Sequence, residues 1–146
     1  HSARPPVDLL HYFRRIVAFA LIGNCDCHLK NFSLLEAADG LRLSPAYDVV
    51  NTYVYARLGY STRFGLRIGG AEHRWEAVDR ALLTRLGALL RLTPQAIERS
   101  LAEFARKAPR LVRLVAATAD AGPDHWRHLY ADSVHDACRR ILDVEV

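Results

Sequence analysis

Asp26, His28 and Asn31 occur as D-x-H-x-x-N within the octet Asn24-Cys25-Asp26-Cys27-His28-Leu29-Lys30-Asn31, and a second acid, Asp48, lies further along the chain. Several chemistries use these residue types. A zinc site would draw on Cys25, Cys27 and His28, but structural zinc sites space paired ligands by two to four residues, and Cys138 is the one obvious fourth thiol. A polar turn that caps a helix would need no chemistry at all. Phosphoryl transfer needs an acid near the attacking hydroxyl, with a carboxamide and a second carboxylate to hold Mg²⁺ against the phosphates of ATP. Asp26, Asn31 and Asp48 supply that set.

Two details favour the third reading. The Asp-to-Asn interval of five matches the protein-kinase loop H-R-D-x-x-x-x-N, here with a different filling. Lys30 and Lys107 are the only lysines beside 18 arginines, so a lysine within the octet hints that an ammonium is wanted there.

The elements around the octet must position it. Pro5-Pro6 give a stiff entry, and Leu9, Leu10, Phe13, Ile16, Val17, Ala20 and Leu21 repeat at helical spacing, which predicts a helix over about 7–22. Phe19 and Ile22 make its end apolar all round, so it plunges into the core, and Gly23 can terminate it with positive φ. Residues 32–36 and 41–44 around Ala37-Ala38-Asp39-Gly40 read as a β-hairpin. A turn at Ala38-Asp39 would set Asn31 opposite about Ala46. With strands about 4.8 Å apart and about 3.3 Å per residue, Asp48 is then roughly 8 Å of backbone path from Asn31.

Residues 51–74 read mostly as loop, with a short strand possible at Phe64 to Ile68. Helical patterning returns at Trp75, Thr93-Pro94 supplies an N-cap with proline at the first helical position, and Pro109 should kink or divide the following helix. Gly122-Pro123 opens a last helix. The fold class expected is mainly α with one short hairpin, as a single domain over 1–146.

The sequence around these motifs, Leu21-Ile22-Gly23-Asn24-Cys25-Asp26-Cys27-His28-Leu29-Lys30-Asn31-Phe32-Ser33 and Leu43-Ser44-Pro45-Ala46-Tyr47-Asp48-Val49-Val50, closely resembles the C-terminal half of HipA-family serine/threonine kinases, the toxins of bacterial toxin–antitoxin pairs. The similarity covers nearly the whole chain. It implies the helical C-terminal lobe of a protein-kinase-like fold, with ATP and Mg²⁺ as cofactors in the full-length protein. It further implies Asp26 as the catalytic acid, Lys30 offsetting charge on the γ-phosphate and His28 orienting Asp26 or the phosphate. Asn31 and Asp48 would ligate Mg²⁺, and Tyr47 would contribute to the floor of the adenine pocket. The partners implied are a protein substrate, typically an aminoacyl-tRNA synthetase, and a HipB-like DNA-binding antitoxin, with DNA reached only through the latter. Persistence is the associated phenotype.

Departures matter too. Asp48-Val49-Val50 replaces Asp-Phe-Gly, so a switch built on that phenylalanine is not expected. No G-x-G-x-x-G loop or V-A-I-K-like strand occurs, so the ATP-covering half is missing and the isolated chain is expected neither to bind ATP tightly nor to phosphorylate. The chain reads as a piece of a longer protein. Rival readings are a small-molecule or lipid phosphotransferase and a non-catalytic interaction module.

Composition sets outer bounds. The chain is 51% hydrophobic with net charge +4 and three cysteines. No apolar run nears the roughly 18 residues of a membrane span, and the odd, closely spaced thiols fit a reducing cytoplasm. His125, His128, Asp132 and His135 form a helical row that reads as a solvated face. Arg14-Arg15 and Arg139-Arg140 read as solvated helix ends, and Cys138 as a small buried hydrophobe.

Overall fold

The computed structural model describes residues 2–120 and 125–145, excepting the side chains of 118–120 and 125. Gly122-Pro123 and the His125 side chain thus lie outside the described residues. The order is helix α1 (Pro5–Leu21), a 3-10 turn (Leu29–Asn31), strands β1 (Leu34–Ala37) and β2 (Gly40–Leu43), then 3-10 turns Tyr53–Leu58 and Trp75–Ala77. Helices α2 (Arg80–Leu89), α3 (Pro94–Asp120) and α4 (His125–Leu142) complete it. The fold is mainly α with one two-stranded antiparallel hairpin.

Helix α1 starts on prolines, whose missing N–H groups would be unpaired there anyway, and carries Asp8 in its first turn. Phe13, Ile16, Val17, Phe19, Ala20 and Leu21 are buried, so its last turns are enclosed on all sides. Gly23 then takes φ +74 and ends it. Trp75, Val78, Leu83, Ile97, Leu101, Val134, Cys138 and Ile141 close the core around this helix, and the Trp75 indole N–H donates to the Ala20 carbonyl at 2.7 Å.

The hairpin pairs Leu34 with Leu43 and Ala37 with Gly40, the register expected from a turn at Ala38-Asp39. Its second strand is latched to α1. Asp8, 6% exposed, accepts from Ser2 Oγ at 2.5 Å, from Arg42 at 3.1 and 3.2 Å and from the Leu43 N–H at 3.2 Å. These donors hold its carboxyl well below the usual carboxylate range, Arg42 most strongly.

Three expectations change. Helix α2 does not begin at Trp75: a 3-10 turn comes first, and Asp79 caps the α-helix by accepting from the Leu82 N–H at 2.8 Å. Helix α3 is not divided at Pro109. That proline is exposed, so the carbonyl deprived of its donor lies on the solvent side, where water can replace it, while Leu101, Ala108 and Val115 stay buried on the other face. Segment 51–74 holds the 3-10 turn Tyr53–Leu58, and Phe64–Ile68 is no strand, only extended chain with bridges Arg63↔Arg74 and Ile68↔Ala71. Its alternation is nonetheless that of a strand: Phe64, Leu66 and Ile68 are buried, whereas Arg63, Gly65 and Arg67 are exposed.

Arg14, Arg15 and Arg140 are packing elements, not solvated ends, whereas Arg139 is exposed as expected. Arg14 bonds Glu103 at 2.6 Å and Arg15 bonds the Ser44 carbonyl. Arg140 lies 4.5 Å over the Trp75 ring and donates to the Val78 and Trp75 carbonyls at 3.0 and 3.2 Å. On α4, His128 and Asp132 are exposed and His135 is half-buried.

Candidate active site

Residues 23–31 leave the buried end of α1 as a loop that is cross-tied to residues 48–52. The Gly23 carbonyl accepts from the N–H groups of Thr52 and Tyr53 at 3.1 and 3.0 Å. The Cys25 N–H donates to Thr52 Oγ1 at 2.9 Å. Asn24, wholly buried, accepts from the Asp26 N–H through Oδ1 and donates through Nδ2 to the Asp48 carbonyl, both at 3.1 Å. One carboxamide thus bridges the backbones of both acids.

Asn31 makes a second bridge. Its Nδ2 donates to the Asp26 carbonyl at 3.0 Å and to Asp48 Oδ2 at 2.9 Å, and the residue is 5% exposed. Asn31 and Asp48 therefore meet, as the hairpin register requires. Because Asn31 Nδ2 is committed, its oxygen is the atom left for a cation beside the Asp48 carboxylate. That all-oxygen pair suits Mg²⁺, a hard ion that keeps several waters and takes few protein ligands. Among the described residues no three His, Cys, Asp or Glu side chains gather as a metal site.

Asp48 has φ +53, a left-handed backbone that is uncommon outside glycine and costs roughly 1–3 kcal/mol. The strained turn sends its carbonyl to Asn24 and its carboxylate to Asn31. The preceding Tyr47 hydroxyl donates to the Lys30 carbonyl at 2.8 Å and lies 2.6 Å from Ser33 Oγ. Tyr47 thereby fixes the 3-10 turn that carries Lys30, whose side chain faces solvent.

The Asp26 side chain is 61% exposed, and its Oδ1 lies 3.9 Å from His28 Nε2. The His28 Nδ1 is buried with no hydrogen-bond partner among the described residues. A cleft of about 510 Å³ opens beside this pair, with Gly65 against the loop. A Cβ on Gly65 would stand 2.8 Å from the His28 nitrogen and 3.0 Å from Cys27 N and C. Cys25 and Cys27 point into the core, where burial pushes their thiols up to about 11 and about 12.

The site residues expected from the sequence thus fall on one loop and the turn facing it. Asn24, Thr52 and Gly65 are the positioning residues that spacing missed. Asn24 shapes the turn after Gly23 and also reaches Asp48. Its signal was a carboxamide in a buried stretch, where an unpaired amide would be costly.

Residues 1–112 match the HipA-like C-terminal domain family. The chain belongs to this HipA-like family. It is 38% identical over 68 residues to "Putative kinase Y4mE" of Sinorhizobium fredii, covering 47% of this chain and 16% of that protein. A second S. fredii protein, "Putative kinase Y4dM", is 47% identical over 49 residues, 33% of this chain and 12% of its own length. A "Putative kinase" of Haemophilus influenzae is 33% identical over 76 residues, 51% and 22% of the two chains. The chain therefore spans at most about a fifth of these curated relatives. The fold is similar to that of part of HipA from Shewanella oneidensis MR-1, solved with HipB and its operator DNA. The TM-score is 0.75 at 21% identity, over 99% of this chain and 36% of that one.

Proposed function

We propose that this HipA-like domain is the catalytic lobe of a serine/threonine protein kinase. The observation that carries the reading is the division of labour around one loop. Asp26 offers an exposed carboxylate at a cleft, while Asn31 of the same loop meets Asp48 of the facing turn at 2.9 Å. In this mechanism the acceptor oxygen bonds to the γ-phosphorus of ATP as the bond to the bridging oxygen of ADP breaks. The hydroxyl proton passes to the Asp26 carboxylate. Position outweighs base strength in such transfers, and Asn24 and Asn31 hold the Asp26 backbone from both sides. His28, 3.9 Å away, would orient that carboxylate, and Lys30 would offset charge on the phosphate being transferred. Asn31, through its amide oxygen, and Asp48, through its carboxylate, would hold Mg²⁺, which would neutralise phosphate charge, and Tyr47 would border the nucleotide.

By analogy with the HipA–HipB complex, a HipB-like antitoxin is the proposed partner and its DNA contact the indirect one. A cytoplasmic aminoacyl-tRNA synthetase is the proposed substrate, and persistence the proposed consequence. No described helix is long and apolar enough to cross a membrane. The test is phosphate transfer from labelled ATP by the full-length protein to candidate proteins and to small alcohols. Asp26→Asn should lower the rate by roughly 10²–10⁴-fold, the usual worth of a positioned acid or base. Asp48→Asn should raise the Mg²⁺ requirement. Unchanged transfer in both variants refutes the assignment, and transfer to small alcohols alone would make the protein a small-molecule kinase. The isolated chain should transfer no phosphate, and any transfer by it would refute the need for a second lobe.

A further inference from the structure

We infer that the cleft beside Asp26 is a specificity site for an extended segment of a protein substrate, one that carries bulky apolar side chains close to the acceptor hydroxyl. This rests on the phosphotransfer reading above and adds the class of substrate.

The cleft wall opposite Asp26 and His28 is aromatic. The Tyr55 and Tyr60 rings lie 5.8 Å apart at 51° and are 48% and 65% exposed. Arg63, the cation at this rim, is paired with Glu72 at 3.0 Å, so its charge is partly answered and the rim does not call for an acidic ligand. Ser61 accepts from the Arg63 N–H at 3.1 Å, which steadies the turn. Gly65 completes the lining without a side chain and packs directly on the Cys27-His28 backbone, which fixes the floor of the cleft.

Tyr55 also walls a second depression of about 440 Å³, formed with Val54, Leu58, Trp126 and Leu129 and with Arg57 as its one charged residue. Leu58 is 74% exposed and Trp126 47%. Exposed apolar residues that gather in one place mark a binding surface. Two depressions sharing one tyrosine suit a polypeptide better than a small alcohol. In an extended chain, side chains on one face recur at roughly 7 Å, twice the rise per residue, and hollows that share the Tyr55 ring as a common wall suit such neighbouring side chains with the hydroxyl at Asp26. The rest of the same protein cannot be the permanent occupant of the first hollow, because covering it would shut the acceptor away from the Asp26 carboxylate.

The experiment uses the full-length protein and fluorescein-labelled peptides with Ala at the acceptor position, read by anisotropy, so that binding is measured without catalysis. One set carries Leu and Trp at alternating positions on either side, and the other carries Ser and Asn there. The apolar set should bind at least roughly tenfold more tightly, the worth of burying one large side chain. Tyr55→Ala and Leu58→Asp, both at exposed positions, should each remove most of that preference. Equal binding of the two sets, or a preference unchanged in both variants, overturns the inference. Phosphorylation of a small alcohol by a protein that binds neither peptide set does so too. Selective peptide binding without any ATP-dependent transfer to a serine version would uphold the cleft while refuting the kinase reading.

Discussion

Replacing Asn24 by Asp tests the cross-tie between the two acids with almost no change of shape. Asn24 is wholly buried. Its oxygen accepts from the Asp26 N–H and its nitrogen donates to the Asp48 carbonyl, each at 3.1 Å. A neutral carboxyl can reproduce both bonds, since its O–H can donate to the carbonyl. An ionised one cannot, because it sets a charged acceptor against a carbonyl acceptor in the core. The introduced group therefore titrates higher in the folded protein than the roughly 3.9 of an unfolded aspartate. For a fully buried carboxyl a rise of roughly 3 units is reasonable. The sign follows from linkage. Below about pH 4 the variant should nearly match the parent, and its deficit should grow by about 1.4 kcal/mol per pH unit until the folded-state value is passed. The loss near pH 7 is then about 4 kcal/mol. Thermal or denaturant unfolding of full-length parent and variant, compared at the same pH from 4.5 to 7.5, measures it with other titrations cancelled. A difference independent of pH, or one that widens on acidification, would refute the bridging role.

Gly65→Ala should cost about 1–3 kcal/mol, as overpacking does, because the new methyl would meet backbone at 2.8–3.0 Å. In the phosphoryl transfer proposed for the full-length protein it should lower kcat more than it changes KM, since the displaced backbone is that of Cys27 and His28. Glu103 sits 2.6 Å from both Arg14 and Lys107, and Arg14 chiefly holds its carboxyl down to about 2. Its stabilisation is present above the unfolded value of roughly 4.3 and is lost as pH falls towards 2. Acid unfolding of Glu103→Gln should therefore lack that component. The thiols of Cys25 and Cys27, pushed up to about 11 and about 12 by burial, should resist alkylation at pH 8 until the protein is denatured, as mass spectrometry of labelled peptides would show.

Local rules were enough for much of the fold. Proline entry, the apolar spacing from Leu9 to Leu21 and Gly23 define α1. The two-residue turn at Ala38-Asp39 sets the strand register and so predicts that Asn31 and Asp48 meet. What stayed hidden depends on partners distant in sequence. Arg140 looks like a solvated helix end until Trp75, 65 residues away, lies beneath it. Pro109 reads as a breaker because its sequence does not reveal that it faces solvent. Segment 51–74 has too little regular pairing to carry a period, and its burial comes from packing on the Asp26 loop. Asn24 illustrates the limit: its type was visible, but its bond to a carbonyl 24 residues on requires the fold.

The bonds that hold the Asp26 loop in place avoid the Asp26 carboxylate. Apart from the bond of the Asn31 amide to the Asp48 carboxylate, they run through backbone groups, the Thr52 hydroxyl and the amides of Asn24 and Asn31, all electrically neutral. Scaffold and reactive charge are thus separable, so ionic strength should disturb turnover well before it disturbs the loop. A protein with Asp26 neutralised should remain a folded bait, able to retain its natural target for capture and sequencing.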